Sequence, residues 1–301
     1  MNPFASLLSW LCDGYWPTAD GHTDLVVRAR DVRRRYTPLR LLASGDAADV
    51  HLATAAGELG TDAEALYLLK VARAPEGNAG LDVEREALTT LLAAAGPTTY
   101  RNYLPALADS FSTAGRPPQR INVFRWEPGF HTLEQVHEQH PALDGRHLAW
   151  VFNRLLTVLG FCHRQNIVHG AVLPCHALID AAGHGLRLVG WGRSVATGER
   201  IGAVPERYRD WYPAEVQRRR PAGPATDVFL AARCLVYLAG GGPLTNRLPE
   251  AVPPPMRRFL EACLLESASM RPDDAWALME DFDELLYGLY GPPSFHELTL
   301  T

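Results

Sequence analysis

The chain has 301 residues, 47% of them hydrophobic and 21% charged, with a formal charge of −5. This is the composition of a globular chain long enough to bury a substantial core, and it argues against intrinsic disorder. The mild acidity excludes the basic footprint of a nucleic-acid binder, and no apolar run is long enough for a transmembrane helix.

Residues 1–35 read as an N-terminal extension. Phe4 to Cys12 is apolar and contains Trp10, but it is too short to span a bilayer. It lacks the basic flank and small-residue cleavage site of a secretory signal, so an amphipathic docking segment is expected. Tyr15 and Trp16 follow, and then an arginine-rich stretch from Arg28 to Arg35, read as a solvated strand or turn or as a contact for an acidic partner. From Tyr36 the pattern is strand-like, with strands predicted at Leu39–Ala43, Val50–Ala53, Leu66–Val71 and Ile121–Phe124. One helix, about Asp82 to Ala95, interrupts them and ends at Gly96-Pro97.

After Glu127-Pro128-Gly129 the pattern becomes helical. Trp150, Val151, Leu155, Val158, Leu159 and Cys162 recur at helical spacing within Leu148–Gln165. Two short strands, Ala177–Ile179 and Leu186–Val189, flank a turn at Ala181–Gly185. Further helices are predicted near Thr226–Leu238, Pro255–Leu265 and Asp273–Tyr287. The five cysteines (12, 162, 175, 234 and 263) show no paired spacing, so free thiols in a reducing, cytoplasmic compartment are expected, with neither zinc nor disulfides. A strand-rich first third and a helix-rich remainder suggest two lobes with a cleft between them.

The chain holds 28 arginines and a single lysine. That lysine, Lys70, closes the run Leu66-Tyr67-Leu68-Leu69-Lys70-Val71. A compact ammonium and a planar guanidinium are not interchangeable where geometry matters, so a lone lysine asks for a reason.

From Tyr36 to about Tyr287 the ordered motifs resemble a protein kinase domain. Lys70, followed by Glu86 in Glu84-Arg85-Glu86-Ala87-Leu88, matches the strand lysine and helix-C glutamate of that family. Phe124-Arg125-Trp126-Glu127-Pro128-Gly129 resembles the gatekeeper and hinge. The stretch from Ile167 through His169 and Gly170 to Ile179 sits where the catalytic loop belongs, and Val189-Gly190-Trp191-Gly192 sits at the Asp-Phe-Gly position. Tyr212-Pro213-Ala214-Glu215 resembles the Ala-Pro-Glu element, Asp227-Val228-Phe229 the opening of helix F, and Arg271 the arginine that pairs with Glu215. Sugar- and antibiotic-phosphorylating kinases share the His-Gly start of the loop, but the later elements favour the protein-kinase branch.

The resemblance implies an α+β, bilobal kinase-like fold with a β-rich N-lobe containing one helix C and an α-helical C-lobe. Its expected divisions are 1–35, 36–124 (N-lobe), 125–130 (hinge), 131–290 (C-lobe) and 291–301 (tail).

Phosphoryl transfer needs a carboxylate near the substrate hydroxyl and hard oxygen ligands for magnesium. Ala171 stands at the position of that carboxylate, Leu173 at that of the loop lysine, His176 at that of the metal-binding asparagine and Gly190 at that of the metal-binding aspartate. Asp180, just beyond its strand, is expected to point away. The phosphate-covering loop Ala43-Ser44-Gly45-Asp46-Ala47-Ala48-Asp49-Val50 retains only Gly45 and Val50 of the family pattern. Its aspartates would repel a polyphosphate or simply face solvent at a hairpin tip.

Gly170 replaces the arginine that receives an activation-loop phosphate, so phosphorylation at Ser194 or Thr197 is not expected to order that loop. Lys70 and Glu86 are left as a structural latch, as part of a residual nucleotide site with Gly45, Val50, Phe124 and Trp126, or as exposed side chains. The expectation is a catalytically inactive pseudokinase that acts as a scaffold or allosteric regulator of an unidentified protein partner. It requires no cofactor, though metal-independent binding of ATP or ADP is compatible with it. The alternatives are an atypical nucleotide-dependent transferase using Lys70, Glu86 and His176, and a nucleotide or small-molecule sensor without turnover.

Overall fold

A computed structural model describes residues 25–28, 33–57, 65–113 and 116–300. The apolar start of the chain and the centre of the arginine-rich stretch lie outside the described residues. The chain is α+β and divides into two compact units. The first takes the described residues up to Arg85 together with Ala106–Pro128, and the second takes Glu86–Pro105 and Gly129–Leu300.

The first unit is built on strands β1 (Leu25–Arg28), β2 (Arg33–Ser44), β3 (Ala48–Gly57), β4 (Leu66–Ala72), β5 (Leu107–Ser112) and β6 (Arg120–Arg125). They form one antiparallel sheet in the order β1-β2-β3-β4-β6-β5. Alternation along each strand sends Tyr36, Ala53, Ala55, Tyr67, Leu69, Ile121 and Val123 into one core cluster. Helix α1 (Pro75–Ala95) begins about two turns before the predicted start. Gly77 and Gly80 lower helix propensity there and read as loop, whereas Pro75 suits a first helical turn, where its missing N–H has no intrahelical partner to lose. Strand β5 was not predicted, because Asp109, Ser110 and Ser112 dilute its apolar pattern; it lies at the sheet edge.

The second unit contains β7 (Phe130–Thr132), α2 (Leu133–Gln139), α3 (Gly145–Arg164), β8 (Ile167–Val168), β9 (Ala177–Asp180), β10 (Gly185–Leu188), β11 (Val195–Ala196), α4 (Ala214–Gln217), α5 (Pro224–Leu238), α6 (Pro254–Cys263) and α7 (Ala275–Tyr290). Helix α3 is its spine. Leu148, Val151, Phe152, Leu155, Leu156, Val158, Leu159 and Cys162 are buried along it, and it packs on α5 and α7. Asp144 fixes its start by accepting the backbone N–H groups of Arg146 and His147. Helix α2 was not predicted, although its capping box, Thr132 with Gln135, is visible in the sequence. Two small antiparallel sheets, β10-β9-β7 and β11-β8, complete the unit. Among the described residues no helix is long and apolar enough to cross a membrane.

Candidate functional site

In the first unit the register sets Val50 opposite Lys70, Lys70 opposite Asn122, and Asn122 opposite Ser110. Directly paired residues share a face of the sheet, so these side chains form a row. Lys70 Nζ donates to Glu84 Oε1 at 2.7 Å. Asn122 Nδ2 donates to Glu84 Oε2 at 3.1 Å and to the Leu81 carbonyl at 2.9 Å, while Ser110 Oγ donates to Asn122 Oδ1 at 2.7 Å. Glu84 is 1% exposed and Asn122 fully buried, so helix and sheet meet through a polar network of which the lysine is one member.

The expected pairing of Lys70 with Glu86 is therefore corrected: the partner is Glu84. The helical period explains it. Leu81, Glu84, Leu88, Leu91 and Ala95 fall on one buried stripe of α1, whereas Glu86 is on the exposed side.

Of the other predicted nucleotide-site residues, Val50 lies beside Lys70, and Phe124 is two residues beyond Asn122 on the same face, 6% exposed. Trp126 is half-buried just past β6, its backbone N–H donating to the Leu66 carbonyl at 2.9 Å. Gly45 is at the exposed tip of the β2–β3 hairpin, its N–H bonded to the Ala48 carbonyl at 2.9 Å. Asp49 does not point freely to solvent. Ser44 Oγ donates to it at 2.5 Å, and Arg73 Nε is 3.6 Å away.

In the second unit Asp227, fully buried at the start of α5, accepts the backbone N–H groups of His169 at 2.7 Å and Gly170 at 2.9 Å, and is 3.0 Å from His163 Nε2. His169 Nε2 faces the Val189 carbonyl at 3.0 Å while its Nδ1 accepts the Ala171 N–H at 3.2 Å. This is the pattern of a neutral Nε2–H imidazole. Its ring meets Trp191 edge-on at 4.4 Å. Ala171, Val172 and Leu173 are fully buried, so this loop presents apolar side chains to its own core.

His176 Nδ1 donates to the Ala171 carbonyl at 2.8 Å. Its ring lies against Gly190, whose φ of 81° is left-handed. A β-carbon at position 190 would sit 2.6 Å from His176 Cδ2 and 2.8 Å from Nε2. The imidazole thus takes the space any side chain at position 190 would need. Gly170 is equally constrained, with a φ of 70° and a β-carbon position 2.6 Å from the Arg193 carbonyl oxygen. Asp180 closes its own turn, accepting the N–H groups of Ala182 and Gly183 at 3.2 Å.

Glu215 and Arg271 are joined as the sequence implied, Nη2 to Oε2 at 2.6 Å with both side chains buried. Thr226 Oγ1 donates to the other carboxylate oxygen at 3.1 Å, and Arg271 Nη1 donates to the Ala225 carbonyl at 3.1 Å.

Sequence reasoning missed the cluster around Glu134 on α2. Tyr208, in the 3₁₀ turn Glu206–Trp211, donates its hydroxyl to Glu134, and Arg207 Nη2 reaches the same carboxylate at 2.8 Å. Burial, with Cys175 and Glu134 nearby, pushes the phenol pKa up, so Tyr208 remains a donor. Cys175 beside it is pushed up to about 12, chiefly by burial. The run Glu206-Arg207-Tyr208-Arg209 reads as solvated, and only its fold-level placement brings Tyr208 inward. Among the described residues no group of three or more His, Cys, Asp or Glu side chains is arranged to hold a metal.

A surface groove of about 430 Å³, lined by Pro255, Asp281, Glu284, Leu285, Gly288 and Leu289, contains none of the predicted site residues. No protein-family model matches the chain, and no curated protein matches it.

Proposed function

We propose that the chain is a kinase-like protein without phosphotransferase activity, a pseudokinase that works by binding a protein partner as scaffold or allosteric regulator. The observation that carries this reading is the packing of His176 against Gly190 beside buried Ala171. Where the resemblance calls for a base and two magnesium ligands, there are a methyl group, an imidazole bonded to a carbonyl, and a glycine that cannot gain a side chain while that imidazole remains. Orientation and charge neutralisation supply most of the acceleration in phosphoryl transfer, and these residues supply neither.

The retained architecture supports the same reading. The Lys70–Glu84 pair, the seat of the loop on Asp227 and the buried Glu215–Arg271 pair hold backbone in place and need no nucleotide to do so. A protein-binding role in the cytoplasm, without nucleic acid, agrees with the composition. Metal-independent binding of ATP or ADP near Lys70 is compatible with Val50 opposite it and Phe124 on the same face of the sheet.

Incubation with ATP labelled at either the α or the γ phosphate, with magnesium or manganese, tests the proposal. No label on the chain or on added protein is expected. Label from the γ position that disappears in Lys70→Met overturns the reading, and label from the α position establishes nucleotidyl transfer in its place.

A further inference from the structure

Residues Ser294–Leu300 run along the second unit held by imidazoles. His184 Nε2 is 2.7 Å from the His296 carbonyl oxygen, His147 Nε2 is 3.2 Å from that of Glu297, and His140 Nε2 is 2.8 Å from that of Thr299. The His184 ring is sandwiched between Trp150, at 4.4 Å and 6° from parallel, and Phe295, at 4.1 Å and 22°. Leu298 is the buried apolar anchor, while Phe295 is 62% exposed and rests on His184. We propose that this segment is an acid-releasable strap, closed over α3 and the β9–β10 hairpin while His296 and His184 are neutral and opened when these two become cationic.

The decisive contact is at His296. Its Nε2 lies 3.1 Å from Arg146 Nη1 and 3.1 Å from Ser294 Oγ. A guanidinium only donates, so Nε2 must accept, which requires a neutral imidazole. A proton on that nitrogen removes the acceptor and sets two cations against each other. The surroundings add to this. From α3 come Arg146, His147 and Arg154; the hairpin adds His184, the end of α2 His140, and the strap His296. Asp144, the acid at the start of α3, is already shared between two backbone N–H groups and His147 Nδ1. Asp180 of the hairpin is bound in its own turn, and Glu297 offers its carbonyl to His147.

Burial lowers the His184 pKa below its ordinary 6.5; the bond to the His296 carbonyl opposes this, and His147, Arg154 and His296 lower it further. A group with a depressed folded-state pKa holds its stabilisation above 6.5 and loses it as pH falls through the folded value. Opening would uncover the face of the His184 ring on which Phe295 rests.

Hydrogen exchange of the Phe295–Leu300 amides in the whole chain, corrected for intrinsic rates, tests the strap. Between about pH 7.5 and about pH 5.5 we expect protection to fall about tenfold or more while α3 amides keep theirs. In parallel, the imidazole resonances of His296 and His184 should titrate with the same midpoint as the release. Unchanged protection overturns the proposal, as does a release midpoint more than about one pH unit from both titrations. His296→Gln keeps an acceptor for Arg146 at every pH and is expected to keep the strap closed at the lower pH. A variant closed at the higher pH that still opens at the lower one overturns the assignment to His296.

Discussion

The imidazole of His176 and the missing side chain of Gly190 are two halves of one arrangement, with 2.6 Å between His176 Cδ2 and the place a β-carbon on residue 190 would take. Gly190→Ala should therefore cost about 2–4 kcal/mol, combining left-handed backbone strain with overpacking. His176→Ala removes the hydrogen-bond donor to the Ala171 carbonyl but also opens the space. The double variant is expected to be more stable than the sum of the singles by about 1–2 kcal/mol. Urea denaturation of the four proteins measures this coupling, and strict additivity would show that the two positions do not compete for the same volume.

Lys70, Glu84 and Glu86 give a second comparison. Lys70→Ala leaves a carboxylate that is 1% exposed with only amide partners. Breaking a buried pair costs about 3–5 kcal/mol, and partial exposure of the lysine places this case toward or below the lower end. Glu86→Ala, on the exposed side of α1, should stay within about 0.5 kcal/mol of the parent. Replacing both Lys70 and Glu84 by methionine should destabilise less than Lys70→Ala alone, because no unpaired charge remains. Equal effects at positions 84 and 86 in chemical denaturation would refute the network as drawn.

These positions also show what the sequence could reveal. Strands β3, β4 and β6 and helices α3, α5 and α7 were legible because a period of two or 3.6 residues runs through them. The Glu215–Arg271 pair was legible from the motifs these two residues resemble. The choice between Glu84 and Glu86 was also available in the sequence, since Leu81, Leu88 and Leu91 put Glu84 on the buried stripe; following a motif's usual spacing overrode that helical phase. Asn122 could have been suspected as a polar residue among Ile121, Val123 and Phe124. The His176–Gly190 packing and the inward turn of Tyr208 were not legible, because each depends on how loops distant in sequence approach one another.

Asp227 binds two successive backbone N–H groups with its two oxygens, His169 through Oδ2 and Gly170 through Oδ1. Asp227→Asn presents one acceptor where two are needed and sets an amide donor against a backbone N–H. A loss of about 2–4 kcal/mol is expected, because hydrogen bonds to charged groups exceed neutral ones and a buried donor is left unmet. Hydrogen exchange should show the amides of His169 and Gly170 losing protection beyond the global change, with those of β3 and β4 following only the global change. Uniform loss across the chain would mean that Asp227 contributes to general stability without holding this loop.

The buried thiols give a prediction about alkaline pH. Cys263 is fully buried, and burial pushes its pKa from 9.0 up to about 12. Between those values the unfolded chain releases a proton that the folded chain keeps. The unfolded state is thus favoured as pH rises, the full contribution being present below pH 9 and lost progressively toward pH 12. Each such group steepens the fall by about 1.4 kcal/mol per pH unit. Cys162 and Cys234, also raised by burial, act in the same direction. Cys263→Ala shifts stability at every pH through lost packing, so the readout is the slope. Unfolding free energies from urea titrations at several pH values above 9 should fall less steeply in the variant, by about 1.4 kcal/mol per pH unit. A variant slope equal to that of the parent would show that Cys263 ionises as readily in the folded chain as in the unfolded one.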